Sequence, residues 1–245
     1  QVGVDPDVGD PFKAGFDPLY FSLQPVHAIH GHPLKRGERL RDKRIQADGY
    51  FADAFACATR FQKNVLDFFD QINEALARSR DPDITVYVHG ANNSFYRSSA
   101  QAAQYAHFTG RNSVVMLYSW PSAESLLRYA VDVNNARRTV PVFARLLELI
   151  AQHTDARYID VLAYSAGAQV LSPALAALHA QYPDESEASL RERFRLGEIY
   201  FAAPDVDFSG FLRDLSTYDG MVQHVTLALN PNDSVLGFAK RHHGV

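Results

Sequence analysis

The sequence predicts an α/β fold in which a mostly parallel β-sheet carries helices on both faces. The first observation is a series of short apolar segments with the composition of strands buried on both sides. They occupy residues 84–89, 114–120, 198–203 and 224–229, together with the segment that leads from Tyr158 to Ser165. The second observation is that segments of helical periodicity separate them. Alternating strands and helices form right-handed crossovers, and these build a parallel sheet.

The helical segments are recognised by apolar residues that recur on one face. One helix begins near Phe61 and ends before Pro82, and a second covers residues 98–108 and is stopped by Gly110. A third has its apolar face between Phe143 and Ile150, and Pro141 is predicted in its first turn. A fourth covers residues 167–178. Residues 183–195 are predicted to be a charged loop.

Neither an internal repeat nor a linker divides the sequence, so residues 1–245 are predicted to form one domain. Residues 1–60 are interpreted as an irregular N-terminal extension, and residues 83–243 as the recognisable core. Because the chain starts at Gln1 rather than at a methionine, we expect that upstream residues exist.

Composition excludes several classes of partner. The formal net charge is −4 and the basic residues are scattered, so no nucleic-acid surface is predicted. A single cysteine, Cys57, excludes an internal disulfide framework and fits a reducing, cytoplasmic setting. No run approaches the ~20 apolar residues of a transmembrane helix. The composition does not predict an oligomeric state.

Three closely spaced histidines, His27, His30 and His32, form the only pattern that resembles a metal site. No carboxylate or thiolate accompanies them, so their spacing alone does not predict a bound metal. The sequence predicts no cofactor.

Ser165 is the candidate nucleophile. It follows a predicted strand, precedes a predicted helix and has small neighbours at Ala163, Ala166 and Gly167. A serine on a sharp strand-to-helix turn requires small residues on either side, as in the G-x-S-x-G nucleophile elbow. Ala163 replaces the first glycine of that pattern. The alternative is a strand–helix junction in which the serine only caps the helix.

The ends of the other predicted strands place further polar groups at the same edge of the sheet. In a parallel sheet, chemistry collects at the carboxyl ends of the strands. Residues 89–93 read His-Gly-Ala-Asn-Asn, residues 119–122 read Ser-Trp-Pro-Ser, and two strands after Ser165 end in carboxylates at Asp205 and Asp233.

Together these motifs resemble the α/β-hydrolase fold, and more narrowly a bacterial family of poorly characterised esterase/lipase-like serine hydrolases. The resemblance rests on VYVHGANNSF at residues 86–95, YSWPSA at 118–123, AYSAG at 163–167, AAPDVD at 202–207 and NDSVL at 232–236. That family usually has Gly-Tyr after the histidine and His-Ser-Met-Gly around the nucleophile. This chain has Gly-Ala and Tyr-Ser-Ala-Gly, changes that alter the walls of a pocket more than the reacting groups.

The resemblance implies that Ser165 is the catalytic nucleophile and that the backbone N–H groups of Ala91 and Ala166 form the oxyanion hole. His89 is then expected to hold its turn, with the alternative that it acts as the general base. A substrate pocket is expected beside the serine, lined by His89, Asn92 and Trp120.

The order of a hydrolase triad is serine, acid, histidine. Asp233 ends the second predicted strand after Ser165, which is the commoner location of the acid in this fold, and it is the first choice. Asp205 ends the intervening strand and is the alternative. The histidine is expected after one more strand, beyond residue 245, and His243 is the fallback within the sequence.

The sequence thus predicts a serine hydrolase that cleaves a small-molecule carboxylic ester. A different class, a non-catalytic binding protein with an incomplete triad, remains open, as do thioester, amide and acyl-transfer chemistry on the same serine. The segment between Trp120 and Pro141 is interpreted either as a small lid or acyl-pocket wall, or as ordinary helix packing.

Overall fold

A computed structural model of the protein describes residues 20–21, 66–122 and 128–229. Within them lies a six-stranded sheet in which every neighbouring pair of strands is parallel. The strands are β1 (Tyr20–Phe21), β2 (Ile84–Val88), β3 (Val114–Tyr118), β4 (Ile159–Tyr164), β5 (Leu196–Ala202) and β6 (His224–Ala228). The predicted parallel α/β architecture is therefore confirmed.

The order of the strands in the sheet is β1-β3-β2-β4-β5-β6. The chain moves outward from β2 to β3, returns across the sheet to β4 on the other side of β2, and then continues outward. The reversal leaves a crevice between the carboxyl ends of β2 and β4. Ligands bind at such a switch point in open α/β sheets.

The helices connect the strands as parallel crossovers require. A first helix, α1, is described over residues 66–78. It is followed by α2 (Phe95–Phe108), α3 (Tyr129–His153), α4 (Ala168–Ala180), α5 (Glu187–Phe194) and α6 (Phe208–Tyr218). Ser94 caps α2 and Ser186 caps α5, each accepting a hydrogen bond from a backbone N–H of the first turn. None of the described helices combines the length and the apolar composition that crossing a membrane requires.

The main core lies on the face of the sheet covered by α1, α3 and α4. Residues that alternate along β2 and β4, such as Val86 and Val161, meet fully buried side chains of α3 and α4, such as Leu147 and Leu171. A smaller cluster on the opposite face joins Tyr87 and Leu117 to Ala102 of α2. Both faces of the central strands are therefore apolar, and this is why their sequences lack a polar–apolar alternation.

The third predicted helix is longer than its sequence pattern indicated. Pro141 was expected in its first turn, but α3 begins at Tyr129 and continues through the proline. A proline inside a helix removes one backbone hydrogen bond and disfavours the preceding turn. The helix persists because both halves are anchored in the core, through Asp132 and Ala136 before the proline and through Phe143 and later residues after it. The described part of the segment between Trp120 and Pro141 is therefore helical from Tyr129 onward, and its role as a lid or acyl-pocket wall stays a prediction.

The predicted charged loop at residues 183–195 is also wrong in part, since it contains α5. Leu190 and Phe194, one turn apart, are fully buried and fasten this otherwise charged helix to the core. Arg195 ends it in the left-handed conformation.

Candidate active site

Ser165 lies on a sharp turn between β4 and α4, at the switch point of the sheet. Its φ angle is +51°, in the left-handed region that non-glycine residues rarely occupy. Such a conformation costs free energy and persists only where the surroundings enforce it. The turn lifts a half-buried serine above the carboxyl end of the sheet, which is the geometry of a nucleophile elbow.

Gly167 explains how the surroundings enforce this turn. A Cβ atom at Gly167 would lie 2.6 Å from the carbonyl oxygen of Val88 and 2.9 Å from that of His89. The backbone of the turn therefore rests directly on the end of β2. Ala163 and Ala166 are fully buried on either side of Ser165, so larger side chains have no room there.

The turn after β2 also lies against the serine. A Cβ atom at Gly90 would be 3.1 Å from the Cβ of Ser165 and 3.1 Å from the ring of Tyr164. Ala91 follows this glycine directly. The structure thus brings together two of the chain segments that the sequence placed at the site, residues 89–93 and 163–167.

His89 uses both of its ring nitrogens to stabilise the turn after β2. The backbone N–H of Trp120 donates to Nε2 of His89 at 3.1 Å, which leaves the proton on Nδ1, and Nδ1 then donates to the carbonyl oxygen of Gly90 at 2.7 Å. Burial is the main cause that lowers the pKa of His89 below its ordinary value. With both nitrogens occupied by backbone groups, His89 is not placed to take a proton from Ser165.

Trp120 lies in the same buried layer. Its ring stacks on His89 with centroids 4.8 Å apart, and its indole N–H donates to the carbonyl oxygen of His89 at 2.7 Å. The exposed fractions of His89 and Trp120 are 1% and 2%. The sequence predicts that both side chains line a substrate pocket, but at this burial neither is open to a ligand, and both instead support the turn after β2. Of the three expected lining residues, only Asn92 is partly exposed.

The two expected oxyanion donors belong to the two turns that meet at the serine. Ala166 is the next residue after Ser165, at the N-terminal side of α4, where backbone N–H groups attract negative charge. Ala91 follows the glycine that contacts Ser165. Within residues 66–122 and 128–229, no group accepts a hydrogen bond from the N–H of either alanine.

Asp205 also lies at the site. Its backbone N–H donates to the carbonyl oxygen of Ser165 at 3.2 Å, and its own carbonyl oxygen accepts from the side chain of Gln169 at 2.9 Å. The loop after β5 is thereby fixed against the serine turn. Asp207, two residues on, caps α6 by accepting from the N–H of Gly210.

Asp132 is a site residue that the sequence pattern did not single out. It is completely buried in α3, and its Oδ2 accepts the backbone N–H of Asn92 at 2.9 Å and the hydroxyl of Ser122 at 2.8 Å. The Ser122 oxygen in turn accepts the N–H of Asn93 at 3.1 Å. The sequence signal that could have identified Asp132 is its position one turn before Ala136, which places a charged residue on the buried face of the helix.

The described histidines other than His89 lie away from Ser165 in the fold. His107 and His179 are in the last turns of α2 and α4, and His153 ends α3. His224 is the first residue of β6, at the amino edge. The remaining histidines, including His243 and the group at residues 27–32, lie outside the described residues, as does Asp233. In the described part of the chain, no cluster of His, Cys, Asp and Glu could hold a metal ion.

Replacement of Gly167 by alanine tests the elbow. The new Cβ would meet two backbone carbonyls that cannot move away, so we expect Gly167→Ala to lower the free energy of unfolding by about 1–3 kcal/mol, as overpacking does. Gly220→Ala is the matched control, because the atoms nearest its Cβ would belong to the Glu187 side chain and not to the backbone, and a glutamate side chain can rotate away. Urea denaturation measures both, and equal losses would contradict the packing described.

The buried neutral His89 predicts a pH dependence of stability. Its folded-state pKa lies below the ordinary value of 6.5, so the unfolded chain binds the proton first as the pH falls. The contribution of neutral His89 to the free energy of unfolding is therefore fully present above pH 6.5. It decreases as the pH falls toward the lowered folded-state pKa.

Urea denaturation at pH 7.5 and pH 5 should therefore show a smaller acid-induced loss of stability in His89→Gln than in wild type. His107→Gln, at a surface position, should keep the wild-type loss. An unchanged pH dependence in His89→Gln would show that this imidazole is not buried in its neutral form.

Comparison with known sequences agrees with this geometry. No curated protein matches the chain. A family described as alpha/beta hydrolase of unknown function (DUF900) matches residues 67–244, a span that contains every strand from β2 to β6, the serine turn and both candidate acids. The parallel sheet with its elbow at the switch point, and the match over most of the sequence, show that the chain belongs to this α/β-hydrolase family.

Proposed function

We propose that the protein is a serine hydrolase that cleaves carboxylic esters through an acyl-enzyme on Ser165. The observation that carries this proposal is the left-handed conformation of Ser165 on a turn packed against the end of β2. A residue that only caps a helix does not require this conformation, because N-cap residues have extended backbone angles.

The reaction begins when the hydroxyl oxygen of Ser165 attacks the ester carbonyl carbon while a histidine accepts the hydroxyl proton. The carbonyl oxygen becomes negative, and the N–H groups of Ala91 and Ala166 stabilise it. The intermediate collapses as the C–O bond to the alcohol breaks and the histidine protonates the departing oxygen. Water then attacks the acyl-enzyme by the same route, releases the acid and restores the serine.

The base comes from outside the described residues. Among the described histidines, only His89 lies at this edge of the sheet, and its nitrogens are both occupied. We place the base in the C-terminal part of the protein, following the expected order of the triad, with His243 as the candidate within the sequence. Asp233 is the proposed acid. Asp205 is the alternative, supported by its backbone contact with Ser165.

A fluorophosphonate probe tests the nucleophile. In the full-length protein we expect labelling at Ser165 and its loss in Ser165→Ala, with little change in the unfolding midpoint, since the side chain is only partly buried. The hydroxyl of Ser172 in α4 is buried and bonds to Tyr218 of α6. It is not open to the probe, so Ser172→Ala should keep the labelling. Mass spectrometry of the labelled peptide identifies the site.

Labelling that survives in Ser165→Ala would contradict the assignment. A wild-type protein that folds but neither reacts with the probe nor hydrolyses p-nitrophenyl esters would favour the binding-protein alternative. Replacing the ester by a thioester or an anilide, with the same acyl group, decides among the bonds that the serine could cleave.

Three variants, at the proposed acid Asp233, at Asp205 and at Asp207, give a matched test of the acid. A triad acid fixes the tautomer of the histidine and stabilises its charged form, so we expect Asp233→Asn to lower kcat by about 10³–10⁴-fold. Asp205→Asn should lose less activity. Asp207→Asn should keep it, because asparagine caps a helix as well as aspartate does.

Steady-state kinetics on one ester, with far-UV circular dichroism as the check of folding, compares the three variants. The reverse order, with the large loss in Asp205→Asn, would make Asp205 the acid.

A further inference from the structure

We infer that Asp132 is a positioning residue that orients the Ala91 backbone N–H toward the oxyanion formed on the Ser165 substrate. The inference rests on the proposed function, since it assigns a role within the same reaction. It concerns a carboxylate on α3, 40 residues along the chain from the turn that it contacts.

The peptide plane that carries the Ala91 N–H is held first by His89. In a trans peptide the carbonyl oxygen and the N–H point in opposite directions. The Nδ1–H of His89 donates to the carbonyl oxygen of Gly90, which belongs to the same peptide group as the nitrogen of Ala91. This bond therefore directs the Ala91 N–H away from the imidazole, and it also polarises the peptide so that the N–H becomes a stronger donor.

Asp132 holds the next peptide plane. Its Oδ2 accepts the Asn92 N–H, which belongs to the peptide group between Ala91 and Asn92. Asn92 has a φ angle of +53°, a conformation that requires support from its surroundings. With the planes before and after Ala91 both fixed, the residue has little freedom to rotate its own N–H out of position.

Ser122 extends the support by one residue. Its hydroxyl donates to Oδ2 of Asp132 and accepts the N–H of Asn93. The carboxylate, the hydroxyl and two consecutive backbone N–H groups thus form one chain of hydrogen bonds. Because Asp132 is completely buried, loss of the carboxylate would leave the Asn92 N–H directed at the interior without its acceptor, and the turn would shift to find another.

Burying a carboxylate costs free energy. A role in the overall stability of the fold would not require the buried carboxylate to hold this particular turn. Asp83 provides the comparison. Its Oδ1 also accepts a backbone N–H, that of Tyr158, but it does so at the amino edge of the sheet, away from Ser165. If a carboxylate that holds backbone serves only the fold, the two aspartates should be equivalent in catalysis.

The experiment compares Asp132→Ala, Asp132→Asn and Asp83→Ala in the full-length protein. Loss of a well-placed oxyanion donor lowers kcat by about 10²–10³-fold, and a donor that is misdirected rather than removed should cost about 10–100-fold. We therefore expect Asp132→Ala to lower kcat by that factor with KM nearly unchanged, because the contact strengthens only as the oxyanion forms.

The affinity for a boronic acid that mimics the tetrahedral intermediate should fall in parallel with kcat in Asp132→Ala. Asp132→Asn retains an oxygen that can accept the Asn92 N–H, so it should recover most of the activity. Asp83→Ala should lose stability without loss of kcat. Ser122→Ala provides a milder variant if Asp132→Ala does not fold, and it should show a smaller fall in kcat with KM again unchanged.

The inference would be overturned if Asp132→Ala, or Ser122→Ala in its place, raised KM instead of lowering kcat, or if Asp83→Ala lost as much activity. It would also be overturned if Asp132→Asn were as inactive as Asp132→Ala, since the charge rather than the accepted hydrogen bond would then matter. A folded wild type that is not labelled at Ser165 would reject the proposed function and this inference together. A labelled wild type with an unaffected Asp132→Ala would reject this inference alone.

Discussion

The contact between Gly167 and the last carbonyl groups of β2 is the constraint on which the candidate site depends. It presses the β4–α4 turn against the β2 end so closely that no side chain fits between them. That proximity forces Ser165 into the left-handed conformation and sets it beside Gly90. The rest of the site depends on this close approach of two backbones. Trp120, Asp132 and Asp205 each form hydrogen bonds with residues of one of the two turns.

The turn after β2 is held by polar side-chain groups, although these side chains are buried in the core. His89 uses its two ring nitrogens to join the ends of β2 and β3, and Trp120 covers the imidazole and returns a hydrogen bond. Asp132 reaches the same turn from α3. Each of these buried groups satisfies a backbone donor or acceptor that the irregular turn would otherwise leave unpaired, which is the condition for burying polar side chains at little cost.

The sequence was sufficient to predict the parallel sheet, most of the described helices and the sharp turn at Ser165, because these features produce local patterns. Apolar runs identify β2 to β6, and small residues around Ser165 identify the elbow. It was insufficient for α5, whose charged composition hides two buried residues, and for the first half of α3, where Pro141 suggested a boundary. In both cases packing against the core outweighed local preference.

The roles of individual site residues were harder to predict than the segment that carries them. His89 and Trp120 were correctly placed at the strand ends, but a sequence does not show whether an aromatic ring faces a pocket or the layer behind it. Asp132 lies 40 residues from the turn that it holds, so no local spacing links the two. Asp233 and His243 lie outside the described residues, and their roles in the triad stay predictions.

The arrangement of the supports around Ala91 has a consequence for folding. The groups that hold the site come from the end of β2, the end of β3, the first turn of α3 and the β4–α4 turn. These segments are distant in sequence and meet only when the central sheet has formed. Contacts of this kind form late, because the chain entropy of long loops must be lost before they add stability. A nascent or partly unfolded chain would therefore carry Ser165 as an ordinary hydroxyl, and the reactivity proposed for this serine would arise together with the native sheet.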